Sequence, residues 1–158
     1  MNIIYPPDKV PDMHTEPMVF LAGSIEMGKA EDWQKVVEEA FKDSPVTFLN
    51  PRRPNWDSSW KQGPNEEPFR SQVLWELSGI GKSNIVFFYF CGGTISPISL
   101  LELGLCLNEP NKRIVVCCPP EFHRYANVKI TCEVNGTIVF DKLEEAVDNL
   151  RETIRKIT

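Results

Sequence analysis

Histidine is scarce in this sequence: His14 and His123 are the only two, too few for a His-rich metal centre. The five cysteines, Cys91, Cys106, Cys117, Cys118 and Cys132, show no CxxC spacing. An odd count with an adjacent pair fits neither a disulfide framework nor a zinc site, so reduced thiols in apolar strands and a cytoplasmic setting are expected. GxGxxG and GxxxxGK[ST] are both missing, which excludes the common dinucleotide and P-loop fingerprints. The longest apolar runs, residues 85–90 and 98–107, are too short to cross a bilayer. The opening MNIIYPPDKVPD lacks a basic stretch followed by an apolar one, so no secretory leader is expected. A formal net charge of -5 supplies no basic excess for a nucleic-acid polymer. No metal, cofactor, membrane or nucleic-acid partner is therefore expected.

What is present is ordinary globular material: 158 residues, 42% hydrophobic and 25% charged, enough for one domain with its own core. Residues 1–17 hold four prolines and little apolar periodicity, and read as an arm. The run 18–22 ends in Gly23-Ser24, a buried strand and then a turn. Helical spacing follows over 31–41, then a strand at 46–49 that Asn50-Pro51 stops. Residues 51–68 form a long loop with four prolines, Arg52, Arg53, Trp56 and Trp60. Loops of that length in compact domains are functional or disordered. A helix is predicted over 69–80 with Phe69, Val73, Leu74 and Leu77 on one side. The continuous β-branched and aromatic run 84–90 predicts a strand buried on both faces. An apolar helix over 96–107 and a strand over 114–118 come next. A short strand is assigned at 128–132, a last one at 137–140, and an amphipathic helix at 143–157. Strands alternating with helices predict an α/β sandwich with a mainly parallel sheet of five strands. Its ligands would bind beyond the carboxyl ends of the strands, at Gly23-Ser24, residues 50–53, 91–96 and 118–121.

The stretch from Gly92 to Gly104 carries the strongest chemical signal. Ser96 suits an N-cap and Pro97 the first helical position. Glu102 then lies in the second turn between Leu101 and Leu103, on a helix predicted to be mostly buried. A carboxylate there is costly unless paired. It is either the ionised nucleophile that attack at an anomeric carbon requires, or a structural ion-pair or cap partner. The loop with Arg52, Arg53 and Trp56 can stack a base and hold hydroxyl or phosphate oxygens, or it is a solvated edge. Gln72 and Glu76 share a helix face, where Gln72 reads a base edge or simply faces solvent. Cys91 lacks a recognisable histidine partner and is a weak nucleophile candidate.

These motifs, in this order, resemble the nucleoside 2-deoxyribosyltransferase-like family, in the branch with a proline before the catalytic helix. The matching stretches are FLAGSIE (20–26), DWQ (32–34), NPRR (50–53), QVLWEL (72–77), the NIVFFYF strand (84–90), SPISLLELG (96–104) and CPPEFHRYANV (118–128). The resemblance implies a flavodoxin-like three-layer sandwich and a two-step displacement through a covalent glycosyl-Glu102 intermediate. It sets Gly23 and Ser24 beside the sugar or base. Gln72 and the NPRR loop fall on the base side, and Asn127 near a sugar hydroxyl of its own or a neighbouring subunit in a homo-oligomer. The substrates implied are a nucleoside or nucleotide and a free nucleobase.

The sequence departs from the family pattern in three places. Asn84 stands where an aspartate associated with the base proton is usual, and an asparagine is no general acid. Thr94, Ile95 and Ser96 stand where many members carry an acidic residue, and Phe20 where some place a tyrosine. Leaving-group protonation then falls to water, to Glu76 or to another residue. Transfer between bases is the first expectation. Hydrolysis of a nucleoside or its 5′-monophosphate, with Arg52 and Arg53 near the phosphate, is the second. A binding protein without turnover, suggested by Asn84, is the third.

Overall fold

The computed structural model describes residues 1–26 and 30–158. Eleven elements alternate along the chain: β1 (Asn2–Ile4), β2 (Met18–Gly23), α1 (Trp33–Ala40), β3 (Thr47–Leu49), α2 (Phe69–Lys82), β4 (Ile85–Tyr89), α3 (Pro97–Leu107), β5 (Arg113–Cys117), α4 (Tyr125–Val134), β6 (Val139–Phe140) and α5 (Leu143–Arg155). The strands form one sheet in the order β1-β3-β2-β4-β5-β6, and every pairing is parallel. Setting β1 aside, that is the flavodoxin-like order, whose direction reverses between β2 and β4.

Alternating strand residues feed two cores. Phe20, Val86, Phe88 and Val116 pack beneath α2, α3 and α4 with Trp75, Leu103, Cys106 and Val128. Val19, Leu21, Phe87 and Val115 pack with Trp33, Val37, Ala146, Leu150 and Ile154 of α1 and α5. With both faces covered, the central strands are apolar throughout, which is why they read so clearly as sequence.

Four expectations need correction. The sheet has six strands, because Asn2–Ile4 pairs with Thr47–Leu49 at the sheet edge; three residues before a Pro-Pro pair are too few to show a period. Residues 128–132 are helical, not a strand. Their β-branched pattern yields to packing, which buries Val128 and Cys132, four apart, and leaves Ile130 out. Along α2 the inward side is Gln72, Trp75, Gly79 and Ile80, whereas Leu74 and Leu77 are exposed. Helix α3 is likewise not mostly buried: Ile98, Leu101 and Leu105 lie outside while Glu102 is only 7% exposed.

Candidate active site

The turn after β2 brings two chain segments together. Gly23 has φ +141, and a Cβ there would lie 2.2 Å from the Tyr89 carbonyl oxygen, so only glycine fits. The close approach lets the Ser24 N–H donate to that same oxygen at 2.9 Å. Ser24 Oγ then meets Thr94 Oγ1 and Ser96 Oγ, each at 2.7 Å, and accepts the Cys91 N–H at 2.9 Å. Trp33 fixes the turn from below, its indole N–H donating to the Ser24 carbonyl at 2.9 Å. Three hydroxyls thus cluster where the sheet order reverses, the usual ligand position of such folds.

Ser96 occupies the N-cap position of α3, but with φ 39 and no side-chain capping bond. Its hydroxyl joins the cluster instead, and Pro97 is the first helical residue. Glu26 does the capping from a distance: its carboxylate accepts the Ile95 and Ser96 N–H groups at 3.1 and 2.9 Å. A negative charge there is favoured by the α3 dipole. Residue 26 thus sets a carboxylate beside positions 95 and 96. Beside it opens a cleft of about 470 Å³ lined by Glu26, Ala30, Glu31, Cys91, Gly92, Gly93 and Thr94. Glu31 is held there by the Tyr89 hydroxyl at 2.9 Å, and His123 Nδ1 lies 3.1 Å from the Thr94 carbonyl, so its proton must reside on Nδ1.

Glu102 does not line that cleft. It lies one and a half turns into the helix that Ser96 opens, buried against α2. No described residue donates a hydrogen bond to its carboxylate. Burial, and then the negative charge of Glu76 on α2, push Glu102 up to about 8. Burial raises Glu76 as well, opposed by a bond from Gln72 Nε2 to its carboxylate at 2.8 Å. Gln72 is 4% exposed, and the same Nε2 reaches the Pro51 carbonyl at 3.1 Å. The two helices thus bring Glu102, Glu76 and Gln72 together, and the loop after β3 closes on them.

That loop is built more firmly than its prolines suggest. Arg52 donates to the carbonyls of Ala30 and Glu31 at 2.8 and 3.0 Å and reaches Gln34 Oε1 at 3.4 Å, bracing the segment before α1. Its guanidinium is thus engaged with the protein itself, which leaves the phosphate-holding role without support. Arg53 lies over the Trp60 ring at 5.1 Å, and Trp56 meets Trp60 edge-on at 5.0 Å. Arg53 Nε and Trp56 Nε1 are buried without acceptors among the described residues.

Two further expected site residues lie elsewhere. Asn84 precedes β4, at the opposite end of the sheet from Ser24, and accepts the Met18 N–H at 2.8 Å. It joins strand starts, away from the hydroxyl cluster. Asn127 is exposed on the first turn of α4. Cys91 is buried and pushed up to about 11, chiefly by burial, which disfavours a thiolate. The sequence reading does not single out Glu26, Glu31 or His123, for which the position of Glu26 three residues beyond Gly23 is the available signal, whereas Thr94 and Ser96 fall in the 91–96 segment expected to meet ligand.

The comparisons with known proteins bear on this arrangement. A family model described as nucleoside 2-deoxyribosyltransferase like matches residues 16–122. The chain belongs to this family. The matched span includes Gly23, Ser24, Gln72, Glu76 and Glu102, and ends before Asn127. The family is associated with glycosyltransferase activity on nucleosides. No curated protein matches the chain. A solved structure, a conserved protein from Enterococcus faecalis V583, aligns with a TM-score of 0.60 at 12% identity, covering 90% of this chain and 99% of that one. At that identity the likeness speaks for the fold alone, an α/β sandwich. No helix of the described residues is long and apolar enough to cross a membrane, and none of their His, Cys, Asp and Glu groups clusters as a metal site.

Proposed function

We propose that this family member is a nucleoside 2-deoxyribosyltransferase, with Glu102 as its nucleophile. The observation that carries the reading is a buried carboxylate, 7% exposed, that no described side chain pairs. Folding gains nothing from such a group, since an unpaired buried carboxylate opposes stability. A Glu102 oxygen attacks C1′ while the bond from C1′ to the base nitrogen breaks, its electron pair leaving with the base. Glu76 supplies the proton to the departing base, and a second base then attacks C1′ and frees Glu102. The incoming base returns a proton to Glu76, closing the cycle. Each carboxylate disfavours the other's ionisation, so the pair retains one proton, and attack starts from the state in which that proton has passed from Glu102 to Glu76. Gly23, Ser24 and the hydroxyl cluster lie on the sugar side, and Gln72, Arg53 and Trp56 on the base side.

Self-association is part of the same reading. The outward residues of α3, Ile98, Leu101 and Leu105, are 59%, 61% and 51% exposed, an apolar face suited to a second copy. Exposed Asn127 would then serve a neighbour's site.

Base exchange tests the reading. Incubation with a panel of 2′-deoxynucleosides and their 5′-monophosphates, with and without a second base, is followed by chromatography. New nucleoside that forms only with added base, and is lost in Glu102→Ala, is the expected outcome. Release of free base without exchange makes the protein a hydrolase with the same nucleophile. Binding without any turnover leaves a sensor, and exchange that survives in Glu102→Ala overturns the assignment.

A further inference from the structure

Gln72 holds an atom the catalytic scheme leaves unused. Its amide cannot rotate freely, because Nε2 donates both to Glu76 at 2.8 Å and to the Pro51 carbonyl at 3.1 Å. Both N–H groups of the amide are spent on the protein, and flipping the amide would set its oxygen against the Pro51 carbonyl oxygen, which cannot donate. Oε1 is therefore fixed as an acceptor. It is buried, and no described residue donates to it. A buried acceptor left empty is unfavourable, and polar atoms inside proteins are nearly always matched. The loop tied to Gln72 through Pro51 holds two more unmatched groups of opposite kind, the N–H donors Arg53 Nε and Trp56 Nε1. Here, then, one side of the site lacks a donor and offers two donors that lack acceptors.

The position of this acceptor relative to the chemistry limits what can fill it. Glu76 lies close enough to Glu102 to raise it electrostatically. An acid so near the nucleophile protonates the base at the acceptor adjoining the glycosidic nitrogen. In pyrimidines that atom is O2, and in purines N3. Gln72 is hydrogen-bonded to this acid, and a base held with its acceptor at Glu76 would bring the next group along the same edge to Oε1. That group must be an N–H.

We propose that Gln72 is the residue that selects the base, and that the site takes nucleobases whose edge runs, outward from the glycosidic nitrogen, acceptor then N–H donor. Uracil and thymine meet the rule with O2 and N3–H, and guanine meets it with N3 and its 2-amino group. Cytosine fails because its N3 is a second acceptor facing Oε1, and adenine and hypoxanthine fail because C2 carries no N–H. In uracil and thymine the carbonyl beyond N3–H is an acceptor of the kind Arg53 Nε and Trp56 Nε1 lack. This inference rests on the transferase reading and adds the substrate class to it. In the step itself, Glu76 gives its proton to O2 as the C1′–N1 bond breaks. The base departs neutral as its 2-hydroxy tautomer, and the N3–H is never transferred.

The experiment compares kcat/KM for transfer from 2′-deoxyuridine, its N3-methyl derivative and 2′-deoxycytidine, in the wild type and in Gln72→Leu. N3-methylation and the change to cytosine are each expected to lower the wild-type value on the order of 100-fold or more, as when a built hydrogen bond is denied its partner. In Gln72→Leu the ratio between deoxyuridine and deoxycytidine falls toward one. The methylated substrate needs no variant, so a Gln72→Leu that fails to fold leaves the test intact. Equal wild-type rates on deoxyuridine and deoxycytidine, or a preference that survives Gln72→Leu, overturn the selection by Gln72 while leaving Glu102-dependent transfer standing. Absence of turnover with every nucleoside, guanine nucleosides included, overturns both.

Discussion

Helices α3 and α5 cover opposite faces of the same sheet and follow opposite rules. In α5, Ala146, Val147, Leu150 and Ile154 face the strands, while Glu144 and Glu145 stand in the first turn, where the helix dipole favours them. In α3 the carboxylate of Glu102 is inside and Ile98, Leu101 and Leu105 are outside. Helix α2 shares the inversion, with Gln72 buried and Leu74 and Leu77 exposed. Where sequence and burial agree, as in α5, the helix serves stability. Where they disagree, the proposed reading gives the inner face to chemistry and the outer face to a partner.

The largest expected effects separate the two helices by kind. Replacing Glu102 by Gln should cut transfer at least ~1000-fold, as losing a nucleophile does, with the fold preserved. Leu150→Ala should do the reverse: it should lower unfolding stability by roughly 3 kcal/mol in a urea titration and leave kcat per folded molecule unchanged. Loss of activity at Leu150 as large as at Glu102 would erase the distinction.

A smaller effect sharpens it through pH. The folded chain holds the Glu102 proton up to about 8, whereas the unfolded chain releases it near the ordinary 4.5. Between those values the folded state binds the extra proton, so this residue costs stability as pH rises. Glu102→Gln should therefore gain on the wild type between pH 5 and 9, by on the order of 2 kcal/mol, while a substitution on the exposed side of α5 shows no such trend. In Glu76→Gln the rising limb of residual kcat/KM against pH should move to lower pH, because a like charge has gone. A limb that stays in place would remove Glu76 from the pair.

The smallest effect concerns the outer face. Leu101→Lys should change monomer stability by less than about 0.5 kcal/mol, since the side chain is already 61% exposed. Sedimentation should nevertheless show weaker self-association, and unchanged sedimentation would remove α3 as the contact surface.

The sequence was most legible where one rule operates alone. The buried strands β2, β4 and β5 and the amphipathic α5 each follow a single period, and parallel α/β alternation followed from them. Residues 128–132 misled because β-branched side chains favour strands locally while Val128 and Cys132 find a core only as a helix. Glu102 was visible as an isolated carboxylate among leucines. Glu26 was not, because its link to residues 95 and 96 joins positions far apart in the chain. Asn84 was misplaced for the converse reason: a motif position says nothing about which end of a strand faces the ligand. The 51–68 loop showed its composition but not its bracing, which rests on Arg52 reaching back to Ala30 and Glu31.

The proposed transfer depends on a covalent bond between Glu102 and the sugar. Its most direct test is mass spectrometry of protein quenched with a 2′-fluoro-arabino nucleoside, whose electron-withdrawing fluorine slows breakdown of a glycosyl ester. A fluoroglycosyl adduct is expected on the peptide containing Glu102, and none in Glu102→Gln. Stoichiometric release of base with no adduct, or an adduct on another residue, would contradict it.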